Sequence, residues 1–163
     1  MSKTAEFTQL ISENEGAIFK ITSVYTDDRD SQKDLYQEIV LQLWNSFDAF
    51  KGAASRGTWL YRVALNTAIS FLRKSKKHKV LVPLDKVVLD ITEAHDPEFE
   101  DRLKAIYAHI RALGSLEKGI ILLYLEDKSY EEISTITGLS VTNVATRLSR
   151  IKNKLKKQIN KQS

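Results

Sequence analysis

Residues Ser129–Leu155 read SYEEISTITGLSVTNVATRLSRIKNKL, and the reading of this stretch decides the fold. Ser129-Tyr130-Glu131-Glu132 has the form of a capping box. In such a box the serine hydroxyl accepts from the backbone three residues on, and the glutamate carboxylate reaches back to the serine N–H. Ile133 and Ile136 then fall on one face of the helix so started. Gly138 supplies a sharp turn, Leu139 fills the junction, and Ser140 is placed to cap a second helix. In that helix Val144, Leu148, Ile151 and Leu155 step by four, three and four residues, which makes one buried stripe. Thr142, Thr146, Ser149, Arg150 and Asn153 lie opposite, with Asn143 and Arg147 on the flank. The outer face is therefore hydroxyls, amides and arginines without a single acid. A recognition helix needs this chemistry: donors and acceptors for base edges, and cations for phosphates. A plain helical hairpin with a polar exterior would need neither the second cap nor an acid-free face.

Charge around this unit is unevenly distributed. The net charge is +4 over 163 residues. From Trp59 to Lys79 there are six basic residues (Arg62, Arg73, Lys74, Lys76, Lys77, Lys79) and no acid. From Asp85 to Asp101 there are seven acids against Lys86, and from Ile133 onward seven basic residues and again no acid. Two basic blocks flanking an acidic one point to a polyanion touched at two places. A hydrophobic share of 42% permits a packed core, and 2 prolines with 6 glycines favour helices over a turn-rich sheet protein. There is no cysteine, which excludes disulfides and thiolate chemistry. The first residues carry Glu6, Glu13 and Glu15 and do not have the form of a signal peptide. No apolar run approaches the roughly 20 residues needed to span a bilayer, so a cytoplasmic protein without direct membrane insertion is expected.

Periodicity predicts an all-α chain of two small helical domains. In the first, residues 1–79, helices are expected over 5–26, from Asp30 or Ser31 as cap to about Phe47, and from Thr58 as cap to about Lys76. Residues 80–96 have no helical pattern, carry Pro83, and are expected to form a flexible acidic linker. In the second, residues 97–163, Pro97 suits a first helical turn, with helices at roughly 97–113, 116–126, 129–137 and 140–158. The helix-turn-helix lies in this second domain.

Two further faces carry chemistry. On the helix from Trp59, the residues Tyr61, Leu65, Ala68, Ile69 and Leu72 gather on the core side, and Trp59, Arg62, Asn66, Ser70 and Arg73 on the other. An aromatic, an amide and cations on one face suit single-stranded nucleic acid, where the ring stacks on an unpaired base and the cations follow the backbone. Trp59 equally suits a core position at a helix start. The loop Phe47–Gly52 mixes aromatic and polar groups and could pocket an extruded base, although its aromatics also suit a core. On the preceding helix, Leu41 stands among Asp34, Gln37 and Glu38, as an apolar anchor for a partner would. A singly exposed leucine is also ordinary, so this face alone does not identify a partner.

Taken together, these residues resemble a known family. Asp34-Leu35-Tyr36-Gln37-Glu38, Trp44, Trp59-Leu60-Tyr61-Arg62-Val63-Ala64-Leu65-Asn66 and Arg73-Lys74 look like the second conserved region of bacterial sigma factors. Leu122–Glu126, Ser129–Ile133 and Leu139–Val144 look like the fourth. With those two regions alone, the chain resembles the extracytoplasmic-function type of the sigma-70 family. The resemblance implies that Asp34, Gln37, Glu38 and Leu41 dock on the clamp of the largest subunit of the RNA polymerase core. It implies that Trp59, Arg62, Asn66, Arg73 and Lys74 contact the melted minus-ten element. It implies that Thr142, Asn143, Thr146, Arg147 and Arg150 read the minus-thirty-five element of promoter DNA, and that a membrane-bound anti-sigma factor holds the protein inactive. The sequence departs from the family at Leu113-Gly114-Ser115-Leu116, where proline is usual, and at Ala145-Thr146, where a lysine or glycine followed by serine is common. These departures leave the fold intact and the promoter sequence open.

Other classes fit less well. A helix-turn-helix regulator acting without the polymerase core would need a receiver or ligand domain, and the first 79 residues lack a strand–helix alternation. For an enzyme, His78, His95 and His109 stand in unrelated contexts, and no metal-ligand spacing, phosphate loop or nucleophile elbow occurs. Glu98, Glu100 and Asp101 read as a solvated helix start near the positive dipole end. No catalytic residue, cofactor or metal site is therefore expected.

Overall fold

In the computed structural model, residues 2–50, 55–75 and 97–161 are described. They form helices α1 (Lys3–Glu13), α2 (Glu15–Tyr25), α3 (Arg29–Ser46), α4 (Arg56–Ser75), α5 (Pro97–Arg111), α6 (Ser115–Leu125), α7 (Tyr130–Thr137) and α8 (Val141–Lys161). Among the described residues there is no strand. The all-α expectation holds. The acidic linker expected at 80–96 lies outside the described residues, as do Lys51 and Gly52 of the loop before α4.

The helix expected over 5–26 is two helices. Asn14 leaves helical geometry at φ −119° and ψ 14°, and its side chain donates to the Leu10 carbonyl at 2.8 Å while its own N–H turns to Ile11. Asparagine competes locally for backbone acceptors in this way, and the apolar periodicity on either side does not reveal it. The caps of α3 and α4 shift for a similar reason. Asp28 accepts from the Ser31 N–H at 2.8 Å, so α3 begins before the expected Asp30 or Ser31. Ser55 accepts from the Thr58 N–H at 3.1 Å, so the serine rather than Thr58 holds the start of α4.

Helices α2, α3 and α4 pack together around Ile18, Ile21, Leu35, Ile39, Leu43, Leu60 and Ala64, with α1 laid on α2. Helices α5 to α8 enclose Ile110, Ile120, Leu123, Ile133, Val144 and Leu148. The two bundles also touch each other: α2 packs on α5 and α6, and α4 on α6 and α7. Their buried side chains consequently form one continuous apolar cluster.

The helix-turn-helix has the local geometry read from its residues. Ser129 Oγ accepts from the Glu132 N–H, and Glu132 Oε1 accepts from the Ser129 N–H, both at 3.1 Å. Those bonds hold the Glu132 carboxyl below its ordinary range, the backbone bond most of all. Gly138 sits at φ 82°, the left-handed conformation that a side chain disfavours. Ser134 donates its hydroxyl to the Leu139 carbonyl and closes the turn, and Ser140 Oγ accepts from the Asn143 N–H at 3.1 Å.

Candidate nucleic-acid interface

Helix α8 buries Val144, Leu148 and Ile151 and half-buries Leu155, so the stripe faces the core. Thr142, Thr146, Ser149, Arg150 and Asn153 are exposed on the other side. The Thr146 hydroxyl donates back to the Thr142 carbonyl at 3.0 Å, which turns its lone pairs outward as acceptors. Asn143 and Arg147 are half-buried and tied together. Arg147 donates Nε to Asn143 Oδ1 at 2.9 Å and Nη1 to Glu117 at 2.7 Å, which links α8 to the start of α6. Below them a hollow of about 170 Å³ is bordered by Glu117, Arg147, Arg150 and Lys154. Sequence reading placed Arg147 near DNA and missed Glu117, its partner 30 positions away.

On the first bundle, Arg62, Asn66, Ser70, Arg73 and Lys74 are exposed, as their face on α4 predicts. Their neighbours differ. Arg62 points to the second bundle and donates Nη2 to the Thr135 carbonyl of α7 at 2.8 Å. Asn66, Ser70 and Lys74 instead border a groove of about 770 Å³ whose other wall is Asp34, Gln37, Glu38 and Leu41 of α3. Leu41 is 49% exposed there. Two residue sets read separately from the sequence thus meet in one groove, acidic on one wall and amide and cationic on the other. Trp59 is half-buried, with its ring 5.2 Å from Phe50 and 6.0 Å from Phe47. Phe47 in turn stacks edge-on with Phe7 at 5.6 Å, so the indole stands at the rim of an aromatic cluster.

Among the described residues, no helix is long and apolar enough to cross a membrane, and no group of three or more His, Cys, Asp or Glu side chains is placed to hold a metal ion.

Residues 10–78 match the family model described as Sigma-70 region 2, and residues 103–155 match that of Sigma-70, region 4. The chain belongs to the sigma-70 family. Region two covers the last turn of α1 and all of α2–α4, and region four covers α6, α7 and most of α5 and α8. The relatives of this sigma chain include one named as extracytoplasmic-function (ECF). It is 27% identical to the RNA polymerase sigma factor SigV of Bacillus subtilis over 93% of this chain and 90% of that protein. It is 26% identical to the ECF RNA polymerase sigma-E factor of Escherichia coli over 94% and 86%. Two solved structures share the fold. One is the sigma factor RpoE of Bartonella quintana in complex with the anti-sigma factor NepR, with TM-score 0.71, 19% identity, and 95% and 97% of the two chains covered. The other is CnrH in complex with the cytosolic domain of CnrY, with TM-score 0.73, 18% identity, and 99% and 92% covered. Sigma factors are transcription initiation factors, and family membership supplies the frame in which both faces above acquire a role.

Proposed function

We propose that this sigma chain binds the RNA polymerase core, directs it to promoters and assists strand opening, without catalysis of its own and without cofactor or metal. The observation that carries this reading is the exposed, acid-free outer face of α8, set in a helix-turn-helix that follows the region-two helices. Thr142, Thr146 and Arg150 enter the major groove of the minus-thirty-five duplex, where hydroxyls and a guanidinium meet base edges. Asn143 and Arg147 approach from the flank and hold the helix in place. On the other bundle, the acidic α3 wall of Asp34, Gln37, Glu38 and Leu41 docks on the clamp of the largest core subunit. The apolar Leu41 anchors it, and the carboxylates select a basic partner. Trp59, Arg62, Asn66, Arg73 and Lys74 meet the melted minus-ten strand by stacking and charge. Its work on the chromosome places the protein in the cytoplasm. An anti-sigma factor is a fitting inhibitor, since the Bartonella quintana sigma factor above was captured with one.

The test is copurification with RNA polymerase core, repeated with Asp34→Lys/Glu38→Lys. The parent is expected to copurify, and the double variant to lose core binding at least tenfold with unchanged helicity. Equal binding by both chains would overturn the docking assignment, and failure of the parent to bind would overturn the function. A helix-turn-helix regulator acting without core would show the latter result together with duplex binding.

A further inference from the structure

Arg147 has the chemistry of a base reader, yet its guanidinium is turned inward. Nε donates to Asn143 Oδ1 at 2.9 Å, and Nη1 to Glu117 Oε1 at 2.7 Å. A guanidinium reads guanine with two neighbouring N–H groups of one edge, which meet O6 and N7. Its two such edges are Nε with Nη2 and Nη1 with Nη2. Each edge here has one nitrogen already bonded inside the protein. Arg150, one turn further along α8, is exposed.

The start of α6 holds the carboxylate that engages Arg147. Glu117 stands in the first turn of that helix, where the positive end of the helix dipole favours an acid. Gly114, the residue before the helix, contributes no side-chain cap. A methyl group on it would lie 2.4 Å from Glu117 Oε2, closer than two such atoms approach. The carboxylate thus occupies the space that a side chain at position 114 would fill. The Gly114 backbone itself does not call for glycine, because φ −62° and ψ 160° are open to other residues. The glycine therefore serves the carboxylate. One carboxylate oxygen lies over Gly114 and the other reaches Arg147. A missing side chain before α6 in this way decides what a guanidinium on α8 is free to do.

The pair stands at the edge of the DNA-facing surface. Glu117 and Arg147 are both only half-buried, and they border the same hollow as Arg150. Without the carboxylate, the Nη1–Nη2 edge is free while Asn143 still holds Nε, and the freed edge lies beside Arg150. Resting on the proposed function, we propose that Gly114 and Glu117 are specificity-determining positions of this sigma chain. Together they withhold Arg147 from base reading, so that promoters are discriminated by the outer face of α8 without it.

The test compares base profiles. A promoter is first selected by run-off transcription of genomic fragments with the parent holoenzyme. Its minus-thirty-five element is then randomised, and the fragments bound by each holoenzyme are sequenced. The parent and Arg147→Ala are expected to give the same profile. Glu117→Ala removes the carboxylate and Gly114→Ala displaces it. Each should gain at least about a fivefold preference for guanine at one and the same position, even where overall affinity falls. Adding Arg147→Ala to either variant should abolish the gain, and a merely structural role of Glu117 would produce no such gain. Far-ultraviolet dichroism checks that every variant keeps the parental helicity. A parental profile in Glu117→Ala or in Gly114→Ala would overturn the proposal. So would a base preference of the parent that disappears in Arg147→Ala. A parent holoenzyme that selects no promoter would instead overturn the sigma reading itself.

Discussion

Replacing Arg147 by alanine separates a brace from a base reader. The guanidinium spans from α8 to Glu117 at 2.7 Å and to Asn143 at 2.9 Å. The side chains of the ion pair retain 33% and 32% exposure, so solvent screens it, and its coupling belongs near the top of the exposed-pair range, about 1 kcal/mol. Losing the bond to Asn143 adds roughly 0.5 kcal/mol. Arg147→Ala should therefore destabilise the fold by about 1.5 kcal/mol, and Glu117→Ala by about 1 kcal/mol. The double variant should fall short of the sum by about 1 kcal/mol, because the shared contact is lost only once. Urea unfolding followed by far-ultraviolet dichroism measures all three, and a chain of this size loses about 2–4 °C of melting temperature per kcal/mol. Duplex binding supplies the second readout. As a brace, Arg147 supports every duplex alike, and Glu117→Ala weakens binding in the same direction although Glu117 itself carries the wrong charge to hold DNA. Additive single variants would refute this reasoning. So would an Arg147→Ala chain of parental stability that loses about 1–3 kcal/mol on the cognate duplex alone.

Three further outcomes are expected. Trp59→Ala removes a half-buried ring from contact with Phe47 and Phe50 and should cost about 2 kcal/mol of stability. It should also reduce permanganate reactivity of unpaired promoter thymines; a destabilised Trp59→Ala chain that opens DNA normally would make Trp59 a packing residue only. Gly138→Ala meets no atom within 4 Å, so its expected cost of about 1–2 kcal/mol comes from the backbone at φ 82°, and Gly138→Asn should recover part of it in thermal unfolding. For Glu132, hydrogen bonds from Ser129 hold the folded carboxyl below its ordinary value of 4.5. Its contribution is thus present above that value and disappears as pH falls through the lower folded value. An acid titration of stability should show this loss in the parent and a flatter profile in Glu132→Gln.

What could be read without coordinates was whatever depends on neighbours a few residues apart. The capping box at Ser129 and Glu132, the left-handed Gly138, the Ser140 cap and the Val144–Leu148–Ile151 stripe all follow from helical periodicity and the hydrogen-bonding needs of helix ends. The exposed faces of α4 and α8 followed from the same periodicity. Local competition already limited that reading at Asn14, where a side-chain bond to Leu10 divides a helix whose apolar pattern continues. Gly119 was visible as a glycine in an apolar helix, but its close approach to Tyr25 and Leu65 was not, because both lie far away in sequence. The same holds for the groove joining Asn66 and Lys74 to Asp34 and Glu38. By itself, then, the sequence determined most of the helices, the caps of the helix-turn-helix and which face of each helix is polar, since these arise from interactions within one or two turns. Only the tertiary structure decided which polar residues share a surface and which are occupied by another part of the chain. Arg62 against Thr135 and Arg147 against Glu117 are separated by 73 and 30 positions, and no periodicity reaches across such distances.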